Sequence, residues 1–198
     1  MRKILYLIGL VFTSLLLCSC SKYEELNNLA IISNITISYK DNNYIVTMQE
    51  IIPQKGQNKV DYDYKYRTGS DEKLSKAFSN IIDHSPKKIY LRRVQNIIIE
   101  YDNKDKILKE FLGYVIKENN ISNEASLVVT KNDLSKFLKV NSDYKYIDSV
   151  IKNKKRILFT VKNLYKKKRK IKLPLLKIND KEIIFSKYVY LQVYSLSS

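Results

Sequence analysis

Few side chains in this 198-residue chain could do chemistry, and their spacing rules out most of it. His84 is the only histidine, and it stands in Asp83-His84-Ser85-Pro86 at the exit of a predicted helix. With no second imidazole and no thiol beside it, it lacks a partner for a Cys/His dyad or a typical zinc site. The dipole of the helix it ends accounts for it more simply. Asp61 and Asp63 are two apart on a predicted strand and share a face within reach of one cation, but Lys65 and Arg67 follow on that face and can neutralise them. Glycines at 9, 56, 69 and 113 are too scattered to build a phosphate loop. No catalytic residue, metal or cofactor is expected.

The strongest local signal is charge. Lys152 to Lys172 holds eleven Lys or Arg and no Asp or Glu, centred on Lys166-Lys167-Lys168-Arg169-Lys170. A solvated hairpin turn between a strand at Ile157–Leu164 and a later strand accounts for it. The functional alternative is contact of Lys166, Lys167, Lys168, Arg169 and Lys170 with anionic lipid headgroups or cell-wall polymers, at about 1 kcal/mol per residue that reaches the surface. The formal charge of +16 agrees with an anionic partner. The same chain is rich in Asn, Ile and Tyr and has no Trp, so part of that charge reflects a general drift toward Lys, Ile and Asn.

Where such a partner would be met is set by the first residues. Arg2 and Lys3 precede an apolar run from Ile4 to Leu17, closed by Leu17-Cys18-Ser19-Cys20, which is the three-part pattern of a secretory signal. Carried to Cys18, the run is 15 residues, against about 20 for a spanning helix. Ser19 just before Cys20 and Leu17 three before it fit a lipobox. Cys18 fits worse, because the bulky Leu17 directly precedes it. Cleavage before Cys20 and acylation of its thiol would hold the chain to the bilayer by at least two chains at about 0.8 kcal/mol per buried CH₂. Residues 1–19 are then signal, 20–29 lipidated cysteine and spacer, and 30–198 one domain; the charge falls to +14 as Arg2 and Lys3 leave. An exported chain meets no nucleic acid, and with Cys20 acylated no disulfide or thiolate metal site is available. The 179 residues left, within a chain that is 44% apolar with four Gly and three Pro, suffice for one globular core.

The elements follow from periodicity. Ile31, Ser33, Ile35, Ile37 and Tyr39 alternate as a half-buried strand over Ala30–Tyr39. Asp41-Asn42-Asn43 turns it into a second strand, Tyr44–Ile52, which Pro53 stops. Val60–Arg67 alternates strictly and puts Tyr62, Tyr64 and Tyr66 on one face. Ser70 or Asp71 caps a helix with Leu74, Ala77, Phe78, Ile81 and Ile82 on its inner stripe. A strand over Ile89–Glu100, with the triplet Ile97-Ile98-Ile99, suits burial on both faces. A helix over Asp102–Glu118 follows, with Ile107, Leu108, Phe111, Leu112, Val115 and Ile116 inward, then a short strand Ala125–Val129. Thr130-Lys131-Asn132-Asp133 opens a brief helix in the manner of a capping box. Tyr144–Ile151 is a further helix. Ile157–Leu164 and Ile183–Tyr194 are strands, the last with Tyr188, Tyr190 and Tyr194 on one face. Such tyrosine stripes are core or sheet surface, or docking patches where exposed. The whole predicts a mixed α/β (α+β) domain: a mixed β-sheet with hairpins at both ends and three to four helices packed against it.

The order of features resembles the N-terminal domain of the Ger(x)C family, the lipoprotein C subunits of spore germinant receptors. The likeness rests on the lipid cysteine followed by Glu25-Leu26-Asn27-Asn28-Leu29-Ala30-Ile31-Ile32, on Ile35-Thr36-Ile37, and on Tyr44-Ile45-Val46-Thr47-Met48-Gln49-Glu50-Ile51-Ile52-Pro53. It continues in Lys73-Leu74-Ser75-Lys76-Ala77-Phe78 and Lys88-Ile89-Tyr90-Leu91-Arg92-Arg93-Val94-Gln95-Asn96-Ile97-Ile98-Ile99, and covers about Cys20 to Ser195. The chain departs from the family's pattern at Ser21, where an aromatic is usual, and at Arg92-Arg93, where Gly-His is common. It also stops near where the family's later domains would begin, which implies a reduced relative or a split gene. The resemblance implies a non-enzymatic accessory subunit of germination, lipid-anchored on the extracytoplasmic face of the cell membrane or spore inner membrane and partnered by membrane-embedded receptor subunits. The alternative is a stand-alone basic envelope lipoprotein that binds anionic lipid or cell-wall polymer.

Overall fold

The computed structural model describes residues 28–54, 61–118, 120–140, 147, 149–150, 159–164, 170–180 and 182–192. Its frame is a mixed sheet in the order β3-β2-β1-β5-β6-β7-β8, with β4 paired to the start of β1. The strands are β1 (Leu29–Lys40), β2 (Asn43–Gln54), β3 (Asp61–Asp71), β4 (Lys88–Tyr90), β5 (Asn96–Glu100), β6 (Ser126–Thr130), β7 (Lys170–Asn179) and β8 (Glu182–Gln192). Between them lie α1 (Leu74–Asp83), α2 (Lys104–Glu118), α3 (Leu134–Val140) and the single turn α4 (Val161–Leu164). The expected mixed sheet with a hairpin group at each end is what the chain builds. β1, β2 and β3 are antiparallel at one end and β7 and β8 at the other, while β1, β5, β6 and β7 run parallel through the middle.

One face carries the main core. Ile35, Ile37, Val46, Met48, Ile97, Ile99, Leu127 and Val129 meet Leu74, Ala77 and Phe78 of α1 and Ile107, Leu108 and Phe111 of α2. The opposite face carries a smaller cluster, in which Ile98, Val128 and Leu176 meet Phe137 and Leu138 of α3 and Ile147. Ile147, Ser149 and Val150 are helical; the rest of the helix expected over Tyr144–Ile151 lies outside the described residues.

A bulge in β1 overturns its expected alternation. The register with β2 steps between Ile32 and Asn34, so Ile32 joins the main core together with Ile35, and Ile31 turns to the other face. The strand expected over Ile89–Glu100 is two, because consecutive arginines cannot both enter a sheet covered on both sides. The chain turns out at Leu91–Val94, exposes Arg92 and Arg93, and tucks Leu91 and Val94 inward. Pro53 does not stop β2. It falls beyond the last β1–β2 pair, Ile32–Glu50, and β2 runs on against β3 to Gln54.

Four further expectations are corrected. Ser70 and Asp71 belong to β3, so α1 starts at Leu74, with the Asp71 carboxylate accepting from the Lys73 N–H at 3.0 Å. Asp133, not Thr130, caps α3: its Oδ1 accepts the Lys136 N–H at 2.9 Å and the Ser135 hydroxyl. Over Ile157–Leu164 the described part, Phe159–Leu164, is no strand beyond one bridge at Thr160. Asn163 Oδ1 accepts from the Thr160 N–H at 2.9 Å, reaching back as in a capping box, and winds Val161–Leu164 into a helical turn. On α2 the stripe takes Tyr114 inward, and Ile116 is 52% exposed.

Candidate functional site

Because β1, β4, β5, β6 and β7 are parallel, their first residues share one end of the sheet, the entry end, and their last residues share the exit end. The cluster under α3 covers the second face over β5, β6 and β7 and reaches Ile183 of β8. Beside it, β1, β2 and β3 present Asn34, Thr36 and Ser38, Thr47 and Gln49, and Tyr66 and Thr68 to the same side, as their pairing requires.

At the exit end this face forms a groove of about 600 Å³, bounded by α3 on one side and by Tyr66 and Thr68 on the other. That is where open sheets with parallel strands commonly hold ligands, outside the strands' carboxyl ends. Its depths are hydroxyl-rich. Thr36 and Ser38 are buried there, while the Thr47 and Thr68 hydroxyls lie 3.0 Å apart on its exposed side. Its rim mixes signs, with Lys40, Lys131 and Lys139 against Glu100, Asp102 and Asp133. Glu100 is fixed in place: its Oε2 accepts the Tyr39 N–H at 3.1 Å and the Asn103 amide at 3.3 Å. The Ser135 hydroxyl and the Lys136 N–H hold the Asp133 carboxyl below its usual range. Lys131 sits 4.3 Å from the centre of the Tyr101 ring. Among the described residues no imidazole or thiol lines this groove, and those that do line it offer hydrogen bonds and mixed charge to a bound group.

Between the two ends runs a buried amide network. Asn96 Nδ2 donates to Asn34 Oδ1 at 2.9 Å, Asn34 Nδ2 donates to Gln49 Oε1, and Gln49 Nε2 donates to the Tyr66 hydroxyl at 3.5 Å. The Ser33 hydroxyl, on the bulge, donates to the Gln49 carbonyl and side-chain oxygens, each at 3.2 Å. Asn34, Gln49 and Asn96 are fully buried, and none of them was singled out from the sequence. An amide within Ile31–Ile37, and another just ahead of Ile97, were the available signals.

The residues singled out from the sequence are dispersed. His84 is exposed beyond the last residue of α1, with Nδ1 2.9 Å from the Asn80 carbonyl oxygen. Asp63 is exposed and accepts from Gln54. Arg67 does not serve the aspartates, since it donates to Glu50 Oε2 through Nε at 3.0 Å and Nη2 at 2.8 Å. Among the described residues no group of three or more His, Cys, Asp or Glu is placed to hold a metal. Tyr62 and Tyr66 on the edge strand β3 are each 40% exposed, and Tyr190 on the edge strand β8 is 65% exposed. Tyr194, Cys20 and Lys166, Lys167, Lys168 and Arg169 lie outside the described residues, and Lys170 opens β7. Among the described residues no helix is long and apolar enough to cross a membrane.

Comparison with known proteins bears out the family resemblance. No curated protein and no solved structure matches the chain. Residues 22–167 match the family model described as the spore germination protein N-terminal domain, and the chain belongs to that family of spore germination proteins.

Proposed function

We propose that this chain is a non-catalytic accessory subunit in spore germination, anchored through an acylated Cys20 to the outer face of a membrane and docked onto membrane-embedded receptor subunits. Family membership supports the setting, and the lipobox at Leu17–Cys20 supports the anchor. The observation that carries the docking role is the second sheet face over β1–β3. Its groove combines hydroxyls, a fixed carboxylate and lysines with an aromatic edge strand. A surface of that kind suits a polar loop of a partner protein. The alternative, a stand-alone lipoprotein on anionic lipid or wall polymer, is favoured by the charge of +16 and the run Lys166–Lys170.

A photoreactive amino acid at Tyr66, in the lipidated chain within its native membranes, tests the first reading. The expected product is a crosslink to a multi-spanning membrane protein, lost when Thr47 and Thr68 are changed to bulky residues. Crosslinks to wall polymer or lipid alone would leave the stand-alone reading in its place.

A further inference from the structure

The entry end of the sheet gathers features that the groove at the exit end does not use. Leu29 pairs with Lys88 and Ile31 with Tyr90, so the start of the domain and β4 lie side by side; the end of β2 and the start of β3 reach the same level. There the bulge at Ser33 has turned Leu29 and Ile31 to the second face. With Ile51, Pro53, Tyr62 and Tyr90 they line an open, mostly apolar groove of about 400 Å³, with Arg93 at its rim. Lys87, Lys88, Arg92 and Arg93 are all exposed at this end. Of the acidic groups nearby, Asp63 accepts from Gln54, and Asp83 ends α1.

The second observation is the chain that leads here. Nine residue steps separate Cys20 from Leu29, a reach of at most about 30 Å when fully extended. A lipid on Cys20 would hold this end close to the bilayer at high effective concentration, so individually weak surface contacts suffice. Apolar and tyrosine side chains flanked by Lys and Arg have the composition of groups that settle at the interface of an anionic membrane.

We propose that the entry end is the membrane-facing surface of the domain, with Leu29, Tyr62 and Tyr90 at headgroup level and Lys87, Lys88, Arg92 and Arg93 against anionic headgroups. This rests on the anchoring reading above, and adds to it an orientation and a lipid class.

The chain has no tryptophan, so a single introduced one reports its own surroundings. The lipidated full chain carrying Tyr62→Trp is reconstituted in phosphatidylcholine vesicles with and without phosphatidylglycerol, each doped with a headgroup-nitroxide lipid. Ile184→Trp, on β8 at the exit end and 39% exposed in the parent, is the comparison. The expected result is at least twofold stronger quenching at 62 than at 184 in the anionic vesicles. The contrast should shrink in Arg92→Gln/Arg93→Gln and in about 1 M salt, where the screening length is about 3 Å. Equal quenching at the two positions, or a contrast that charge removal and salt leave unchanged, overturns the proposal. A tryptophan at 62 that is blue-shifted and unquenched means that protein fills the groove, either residues 21–27 or a partner, and also overturns it. Recovery of a chain without acyl groups on Cys20 overturns the anchoring reading instead.

Discussion

Replacing Gly69 by alanine should loosen α1 from the sheet. Gly69 lies on β3 opposite Val46, on the face that α1 covers, and its φ is not positive; what it provides is close approach. A Cβ there would lie 2.8 Å from Ile81 Cγ1 and closer still to the Ala77 carbonyl oxygen, which is backbone and cannot rotate away. Relief requires α1 to retreat by about 1 Å, and a gap of that size forfeits a quarter to a half of the dispersion energy of the contacts it opens. The atoms affected are those of Leu74, Ala77, Phe78 and Ile81, all buried. Overpacking of this kind costs about 1–3 kcal/mol, and the rigidity of the opposing atom places Gly69→Ala in the upper half. The smaller conformational freedom of the unfolded alanine chain returns about 0.4–1 kcal/mol, which leaves a net loss of about 2 kcal/mol. For a domain of this size that is a fall in Tm of about 4–8 °C. Gly113→Ala is the control. Gly113 is exposed on α2, nothing lies within 4 Å of the added Cβ, and removing a glycine from a helix interior should stabilise by about 0.5–1 kcal/mol. Thermal and urea unfolding followed by circular dichroism reads both changes. If Gly69→Ala matches or exceeds the parent in stability, the close-packing argument for α1 on β3 is wrong.

Breaking the Glu50–Arg67 pair should cost more than an exposed pair does. Their side chains are 4% and 13% exposed, and Arg67→Ala strands a buried carboxylate at about 3–5 kcal/mol by urea unfolding, which Arg67→Lys should partly recover. Asn34→Ala removes the acceptor of the Asn96 amide and a donor to Gln49 at once. At about 1–3 kcal/mol for each buried group left unsatisfied, it should destabilise by more than Asn132→Ala, at the edge of the second cluster, in the same assay. Burial, with Glu110 beside one and Glu118 beside the other, pushes the Tyr44 and Tyr114 phenols up to about 12 from the ordinary 10.0. The folded pKa is raised, so the stability these phenols contribute is complete below pH 10 and is lost as the pH rises from 10 toward 12. Absorbance titration near 295 nm should show ionisation between pH 10 and about 12 in step with unfolding that Tyr44→Phe/Tyr114→Phe removes, and a titration that this double variant leaves unchanged would refute the reasoning.

Elements that obey one period were legible in the sequence; those decided by a neighbour were not. Leu74, Ala77, Phe78 and Ile81 announce α1 because each touches the sheet, and Ile97-Ile98-Ile99 announces a strand covered on both faces. β7 is not bounded by the sequence, where its first residues fall within the basic run that reads as a turn and Pro174 and the lysines interrupt its alternation. In the fold Pro174 lies one residue before the β6–β7 ladder opens at Leu175, so β7 needs only β8 there. The β1 bulge was hidden because Ile31, Ile32, Ile35 and Ile37 satisfy two alternations, and only pairing with Gln49 and Glu50 selects one. The hydroxyl-lined groove at the exit end was hidden for a related reason. Thr36, Thr47 and Thr68 are far apart in sequence and are brought together only by register.

That register also sets the relation between the two ends. β1 spans twelve residues from Leu29 to Lys40, a rise of roughly 35 Å. With the entry end against a bilayer, the hydroxyl-lined groove, which Thr36, Ser38 and Lys40 of β1 line, would be held roughly 20–35 Å above the headgroups, facing sideways along the membrane past the edge strand β3. In that orientation a partner meeting it would have to project a polar segment clear of the surface, so the groove would favour extramembrane loops over membrane-spanning helices. The Asn34–Gln49–Asn96 network lies between the two ends and holds the bulge that turns Ile31 toward the entry groove and Thr36 toward the exit groove on one face. Loss of Asn34 should therefore disturb both quenching at position 62 and crosslinking at position 66. Arg92→Gln/Arg93→Gln should change the first and leave the second intact, and a double loss in that variant would mean that the two ends are not independent surfaces.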